Sequence, residues 1–205
     1  MLFRSLKEKE LSEFAVREAE RNGLILSSPN ARYLGALCDG DLQTLVGEMG
    51  KLTSVCRGNI SKDDLETYVA KSLQYNAFRL HDLFCARNES AARILLEKMM
   101  EQEPNPVGVI SLIAGNFKQM LVARACRDAG FSESKTVSHI MQETNAKDWT
   151  ARRALQHCKT FSAAALQRGI KILGQMDFDA KQGIITLRTD FFAELVRVYN
   201  RNDRP

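Results

Sequence analysis

Apolar residues recur every three or four positions along most of this chain, which is the spacing of an amphipathic helix. The clearest stripe consists of Val107, Ile110, Ile113, Phe117, Met120 and Leu121, and a second one of Leu42, Leu45, Val46, Met49 and Leu52. Strand-like residues are confined to 184–187, a short segment with no evident partner. The pattern therefore predicts about ten helices and little or no sheet, which is an all-α fold.

Residues that begin and end helices punctuate these stripes. Ser5 and Glu8 have the spacing of a capping box. Ser28 before Pro29 predicts an N-cap with proline in the first helical turn, and Gly23 is placed to end the preceding helix. Further predicted caps are Ser61, Ser132 and Ser162, and a further predicted stop is Gly130.

Charge divides the chain into two parts. Residues 1–74 carry 10 basic and 11 acidic side chains, whereas residues 75–205 carry 19 basic and 14 acidic ones. The change falls at residues 72–76, although this segment lacks the composition of a linker. We predict two helical domains, residues 1–72 and residues 73–205, and the excess of positive charge permits contact between the second domain and a polyanion.

Composition excludes several classes of protein. With 44% hydrophobic and 26% charged residues the chain is globular, and without an apolar run of about 20 residues we expect no membrane span. The residues after Met1 do not resemble a secretory leader, so we expect a cytoplasmic protein. The five cysteines form no CxxC pair, and we interpret them as free, mostly buried thiols. The three histidines show no metal-ligand spacing, so we expect no metal and no cofactor.

A glycine-rich segment, residues 47–53, resembles a phosphate-binding loop only superficially. Such a loop needs two glycines separated by four residues and a hydroxyl residue after the lysine. Here Gly47 and Gly50 are too close, and Leu52 occupies the hydroxyl position. Because Leu52 also lies on an apolar stripe, we predict a helix at this position. Nowhere does the sequence combine a nucleophile, a base and an orienting group, so we expect no catalytic residues.

One segment has the character of a nucleic-acid contact. Lys147, Trp149, Arg152 and Arg153 bring the single tryptophan and three cations together at a predicted helix start. An exposed tryptophan can stack on a base while the cations meet phosphates. The alternative is that Trp149 belongs to the core and the cations form its solvated face. We retain these four residues as candidate DNA contacts.

Five short motifs in a fixed order resemble the delta subunit of the bacterial DNA polymerase III clamp loader. Each is weak alone, and the resemblance rests on their order over nearly the whole chain. They are Gly40-Asp41-Leu42 leading to Lys51-Leu52, Ile60-Ser61 leading to Asp64-Leu65, Tyr75-Asn76-Ala77-Phe78, Pro106 leading to Phe117 and Leu121, and Phe161-Ser162 leading to Asp177, Lys181 and Gly183.

The resemblance implies a helical lid-type bundle, residues 1–72, followed by a collar-type bundle of about five main helices, residues 73–205. Collar domains of five subunits close into a ring in this family, so the implied partners are the other clamp-loader subunits, with primer-template DNA reached through the complex. The family's delta subunit does not hydrolyse ATP. The implied role is therefore structural, within a DNA polymerase holoenzyme that is itself a nucleotidyltransferase.

Family members begin with an AAA+-like domain that contacts the sliding clamp. This chain starts at Met1 within what would be the lid domain, so we do not expect it to contact the clamp. Two other classes stay open: a helical DNA-binding module that uses the Trp149 and Arg152/Arg153 patch, and a small helical enzyme with no known motif.

Overall fold

The computed structural model describes residues 8–103, 105–183 and 190–199. Every regular element in these ranges is helical, which confirms the all-α prediction. The helices are α1 (Glu8–Arg21), α2 (Ser28–Leu37), α3 (Leu42–Val55), α4 (Lys62–Tyr68), α5 (Leu73–Cys85), α6 (Glu89–Gln102), α7 (Pro106–Asp128), α8 (Glu133–Thr144), α9 (Asp148–His157), a short 3-10 helix (Cys158–Thr160), α10 (Ala163–Lys181) and α11 (Asp190–Tyr199). The strand-like segment 184–187 and the Ser5 cap lie outside the described residues.

Most of the predicted helix starts are confirmed, and one is shifted. Ser61 accepts from the Asp64 amide while the Asp64 carboxylate accepts from the Ser61 amide, which completes a capping box. The cap of α2 is Ser27 and not Ser28, because the Ser27 side chain accepts from the Asn30 amide. Pro29 therefore occupies the second helical position, where its missing N–H still costs the helix no hydrogen bond.

The described chain forms two compact units, Met1–Tyr75 and Asn76–Pro205. The division falls inside α5, three residues after the boundary that we predicted from charge. Each unit has a core of its own.

In the first unit α1 packs on α2 and α3, and the short α4 contacts α2 and α3. The fully buried side chains of this core include Leu34, Leu45, Leu52, Ile60 and Leu65. The loops before α2 and α4 are tied by an isolated β-bridge between Ile25 and Asn59, in which the Ile25 amide donates to the Gly58 carbonyl at 2.8 Å. This bridge fixes the loop that ends in the Ser61 cap.

In the second unit α7 is the central helix, and α8, α9 and α10 pack against it. Among the described helices, α7 alone is long and apolar enough to cross a membrane. Its apolar composition has a simpler explanation in the bundle, because one face is buried against its neighbours; the buried residues include Val109, Ile113, Phe117, Met120 and Ala123.

Gly169 permits the close approach of α10 to α7. A Cβ atom at this position would lie 2.5 Å from Cε1 of Phe117 and 3.3 Å from Cγ1 of Val198. Phe117 is only 1% exposed and cannot swing aside, so α10 and α7 can approach this closely only with glycine at position 169.

Candidate functional site

The glycine-rich segment 47–53 is helical, as predicted, because it lies within α3. Glu48, Met49 and Leu52 are buried, so this part of the chain packs and does not form an open loop around a phosphate. The Glu48 carboxylate instead pairs with the Lys51 ammonium at 2.6 Å.

The four candidate DNA-contact residues come together at the start of α9. Lys147 is the residue before the helix, and Trp149, Arg152 and Arg153 lie in its first two turns. The Trp149 ring is partly buried, and its centroid lies 5.7 Å from that of Phe78 with the planes inclined by 64°. Trp149 is therefore neither a fully buried core residue nor a fully exposed one, and its contact with DNA stays a prediction.

Both arginines of this patch form ion pairs. Arg152 donates to the Asp148 carboxylate one turn earlier at 2.7 Å, and its side chain is 60% exposed. Arg153 donates to Asp82 of α5 at 2.8 Å and is 33% exposed. The carboxylates compensate much of the positive charge, so the patch is weaker electrostatically than its sequence indicates.

A histidine pair lies beside the patch. The rings of His81 and His157 stack with centroids 4.6 Å apart and planes inclined by 15°. His157 Nε2 is 3.1 Å from the Asp82 carboxylate, which also accepts from Arg153. Asp82 thereby joins α5 to two residues of α9.

Sequence reasoning missed this cluster, because His81 and His157 are far apart in the chain and neither has motif spacing. The one available signal was the position of His81 among the apolar residues of a helix, because a buried imidazole favours a polar or aromatic partner.

Burial favours the neutral forms of His81 and Cys85 in this cluster. Burial, followed by the charge of the neighbouring His157, lowers the pKa of His81 to about 3, against an opposing effect of Asp82. Burial raises the pKa of the Cys85 thiol to about 12, although its Sγ lies 3.6 Å from Nε2 of His81. A protonated thiol beside an imidazole that rarely takes up a proton does not make an activated nucleophile.

Comparison with known proteins assigns the second unit to a protein family. The family model described as "DNA polymerase III delta subunit, C-terminal domain" matches residues 74–196. The chain belongs to this delta-subunit family. The match confirms the resemblance drawn from the ordered motifs, and it begins within two residues of the structural division at Asn76.

Two relatives of this delta-family chain extend the comparison. The DNA polymerase III subunit delta of Bacillus subtilis (strain 168) is 23% identical over 203 residues, which are 98% of this chain and 57% of that protein. A solved structure, the Bacillus subtilis DNA clamp loader delta protein, has a TM-score of 0.73 at 23% identity and covers 98% of this chain and 59% of its own. The fold is therefore shared, and the chain spans somewhat more than half the length of these relatives.

Proposed function

We propose that this chain is a non-catalytic, cytoplasmic part of a bacterial clamp loader, with a lid-type first domain and a collar-type second domain that assembles with the other loader subunits. The observation that carries the proposal is the match of residues 74–196 to the C-terminal domain of the delta family. That range covers nearly all described residues of the compact second unit.

The chemistry of the described residues supports a structural role. Partly buried charged side chains form ion pairs between helices, as Asp82 of α5 does with Arg153 and His157 of α9. Burial also keeps the thiols protonated, with the pKa of Cys38 and Cys85 raised to about 12. A bundle of this kind offers helix faces to partners more readily than reactive groups to a substrate.

Assembly through the second domain would place five such bundles in a ring. Large apolar side chains that remain exposed on the second unit provide apolar area for such contacts, namely Ile94 on α6, Met141 on α8 and Phe178 on α10. Phe178 is 56% exposed and lies beside Gly174, where nothing approaches within 4 Å. A flat helix face of this kind accommodates a partner helix at short distance.

Light scattering on a sizing column tests the proposal. The full chain is run alone and then mixed with the remaining subunits of the loader from the same cell. We expect a mixed species that contains this chain in fixed ratio. A folded chain that stays in its own peak at micromolar concentrations of all subunits would contradict the collar role.

A second function, direct DNA contact by the α9 patch, is favoured by the position of Trp149. Its ring is held against Phe78 yet remains partly exposed, which suits stacking on one unpaired base. The Asp148 and Asp82 carboxylates partly offset the charge of the two arginines, so we expect weak binding with a shallow salt dependence. A slope of about −2 in log K against log salt corresponds to two or three phosphates neutralised.

Paired charge substitutions test the DNA contact. Arg152→Ala with Arg153→Ala should weaken binding of a primer-template junction by about ten- to thirtyfold, because each lost phosphate contact contributes on the order of 1 kcal/mol. The matched control is Lys98→Ala with Lys171→Ala, which removes the same charge from exposed positions on α6 and α10. Equal losses in the two double variants would show a nonspecific charge effect and would remove the patch from consideration. The readout is fluorescence anisotropy across a series of salt concentrations.

A further inference from the structure

Residues 69–75 run from the end of α4 into the first turn of α5 and are here called the strap. Four of these residues lie between the helices, yet their amides have partners in three different helices. The Ala70 amide donates to the Glu48 carboxylate of α3 at 3.2 Å. The Ser72 amide donates to the Leu37 carbonyl of α2 at 2.9 Å. A connection held at both amides cannot pivot freely without losing these two hydrogen bonds.

Glu48 of α3 holds the strap near its start, at Ala70. It is 6% exposed, and a buried carboxylate is costly unless its oxygens are paired. One oxygen accepts from the Lys51 ammonium at 2.6 Å and the other from the Ala70 amide. The strap therefore supplies the partner of one oxygen of this buried carboxylate, and Glu48 in turn fixes the strap against α3.

Tyr33 and Glu66 hold the end of the strap and are its second point of attachment. The Tyr75 hydroxyl lies 2.9 Å from the Tyr33 hydroxyl of α2, and Tyr33 donates a hydrogen bond to the Glu66 carboxylate of α4. Lys71 of the strap lies 3.2 Å from the same carboxylate and donates to the Glu66 carbonyl at 2.8 Å. Burial, followed by the hydrogen bonds to Glu66 and Tyr75, raises the pKa of Tyr33, so its phenol stays neutral and able to donate.

The strap also caps α5. The Ser72 hydroxyl accepts from the Tyr75 amide at 3.1 Å, which is the N-cap arrangement. Residue 72 is thus held from α2 through its own amide while its side chain begins the next helix. The start of α5 consequently has a fixed position within the first unit.

We propose that Glu48, Tyr33 and Glu66 form a latch that keeps residues 69–75 as a rigid strap of the first unit. The latch is built from two carboxylates and one phenol of the first unit, and the phenol of Tyr33 meets the Tyr75 hydroxyl of the strap. Loss of either anchor frees the strap while the apolar core of the unit remains.

Hydrogen exchange on the full chain tests the latch. Glu48→Ala removes the acceptor of the Ala70 amide, and we expect exchange at Ala70 and Ser72 to accelerate at least tenfold. Amides of the α1 core, such as those of Leu11 and Ala15, should keep their wild-type rates. The matched control is Glu20→Ala, an exposed glutamate on α1, which should leave the strap unchanged.

A milder variant keeps the test decisive if Glu48→Ala does not fold. Tyr75→Phe retains the ring and removes only the hydroxyl that meets Tyr33, and we expect about threefold faster exchange confined to residues 70–76. Trypsin cleavage after Lys71 should rise in parallel. Unchanged exchange in both variants, or the same acceleration in the strap and in α1, would overturn the proposal.

Discussion

Replacing Gly169 with alanine is expected to lower the free energy of unfolding of the second unit by about 2 kcal/mol. Alanine favours a helix over glycine by about 1 kcal/mol, so a propensity argument predicts the opposite sign. The added Cβ would lie 2.5 Å from the Phe117 ring, which is buried and has no free space. Forcing α10 away from α7 costs on the order of 3 kcal/mol, and this overpacking outweighs the gain in propensity.

Gly174 provides the matched control, because it lies on the same helix with nothing within 4 Å of its Cβ position. Gly174→Ala should stabilise the unit by about 0.5–1 kcal/mol. The readout is urea unfolding followed by the fluorescence of Trp149, which is the single tryptophan and lies in the second unit. If both variants shift the midpoint in the same direction, the close α7–α10 contact does not determine stability.

Lowering the pH from about 7.5 to 5 should cost the second unit about 2 kcal/mol through His81 alone. The pKa of His81 is about 3 in the folded state and about 6.5 when the chain unfolds. A depressed histidine pKa means that the unfolded state takes up the proton first. The stabilising contribution is therefore complete above about pH 6.5 and is lost as the pH falls from there toward 3.

His81→Phe should remove most of this pH dependence. The ring would remain among Phe117, Phe161 and Tyr199, and the substitution removes Nδ1, a buried nitrogen without a hydrogen-bond partner among the described residues. We expect stability near that of the wild type at pH 7.5 and an advantage of about 2 kcal/mol at pH 5.

The comparison is made by urea midpoints of both proteins at the two pH values. His157, Asp82 and Arg153 face the same cluster in both proteins, so the difference between the proteins isolates His81. Parallel pH profiles for the two proteins would show that His81 is not held neutral by its surroundings.

The helices could be predicted from sequence because each one repeats a local signal. The stripe on α7 and the caps at Ser61, Ser132 and Ser162 depend on residues within one or two turns, and the structure confirms them. The shift from Ser28 to Ser27 shows the limit of this reasoning. Two adjacent serines have the same capping chemistry, and only the backbone conformation decides between them.

Contacts between residues on different helices could not be predicted from the sequence. The role of Gly169 depends on Phe117, which lies on another helix, and an isolated glycine in a helical pattern gives no sign of which ring it faces. Asp82, His81 and His157 meet only after α5 and α9 have packed. The order of weak family motifs was more informative, because it pointed to the delta family, which the match of residues 74–196 confirms.

The proposed role of this chain is to join a clamp loader through its second unit. Hydrogen exchange measured before and after mixing the full chain with the other loader subunits tests it most directly. We predict new protection concentrated in residues 76–183, with the exposed faces around Ile94 or Phe178 among the protected peptides. Absence of a mixed species, or protection confined to residues 8–75, would contradict it.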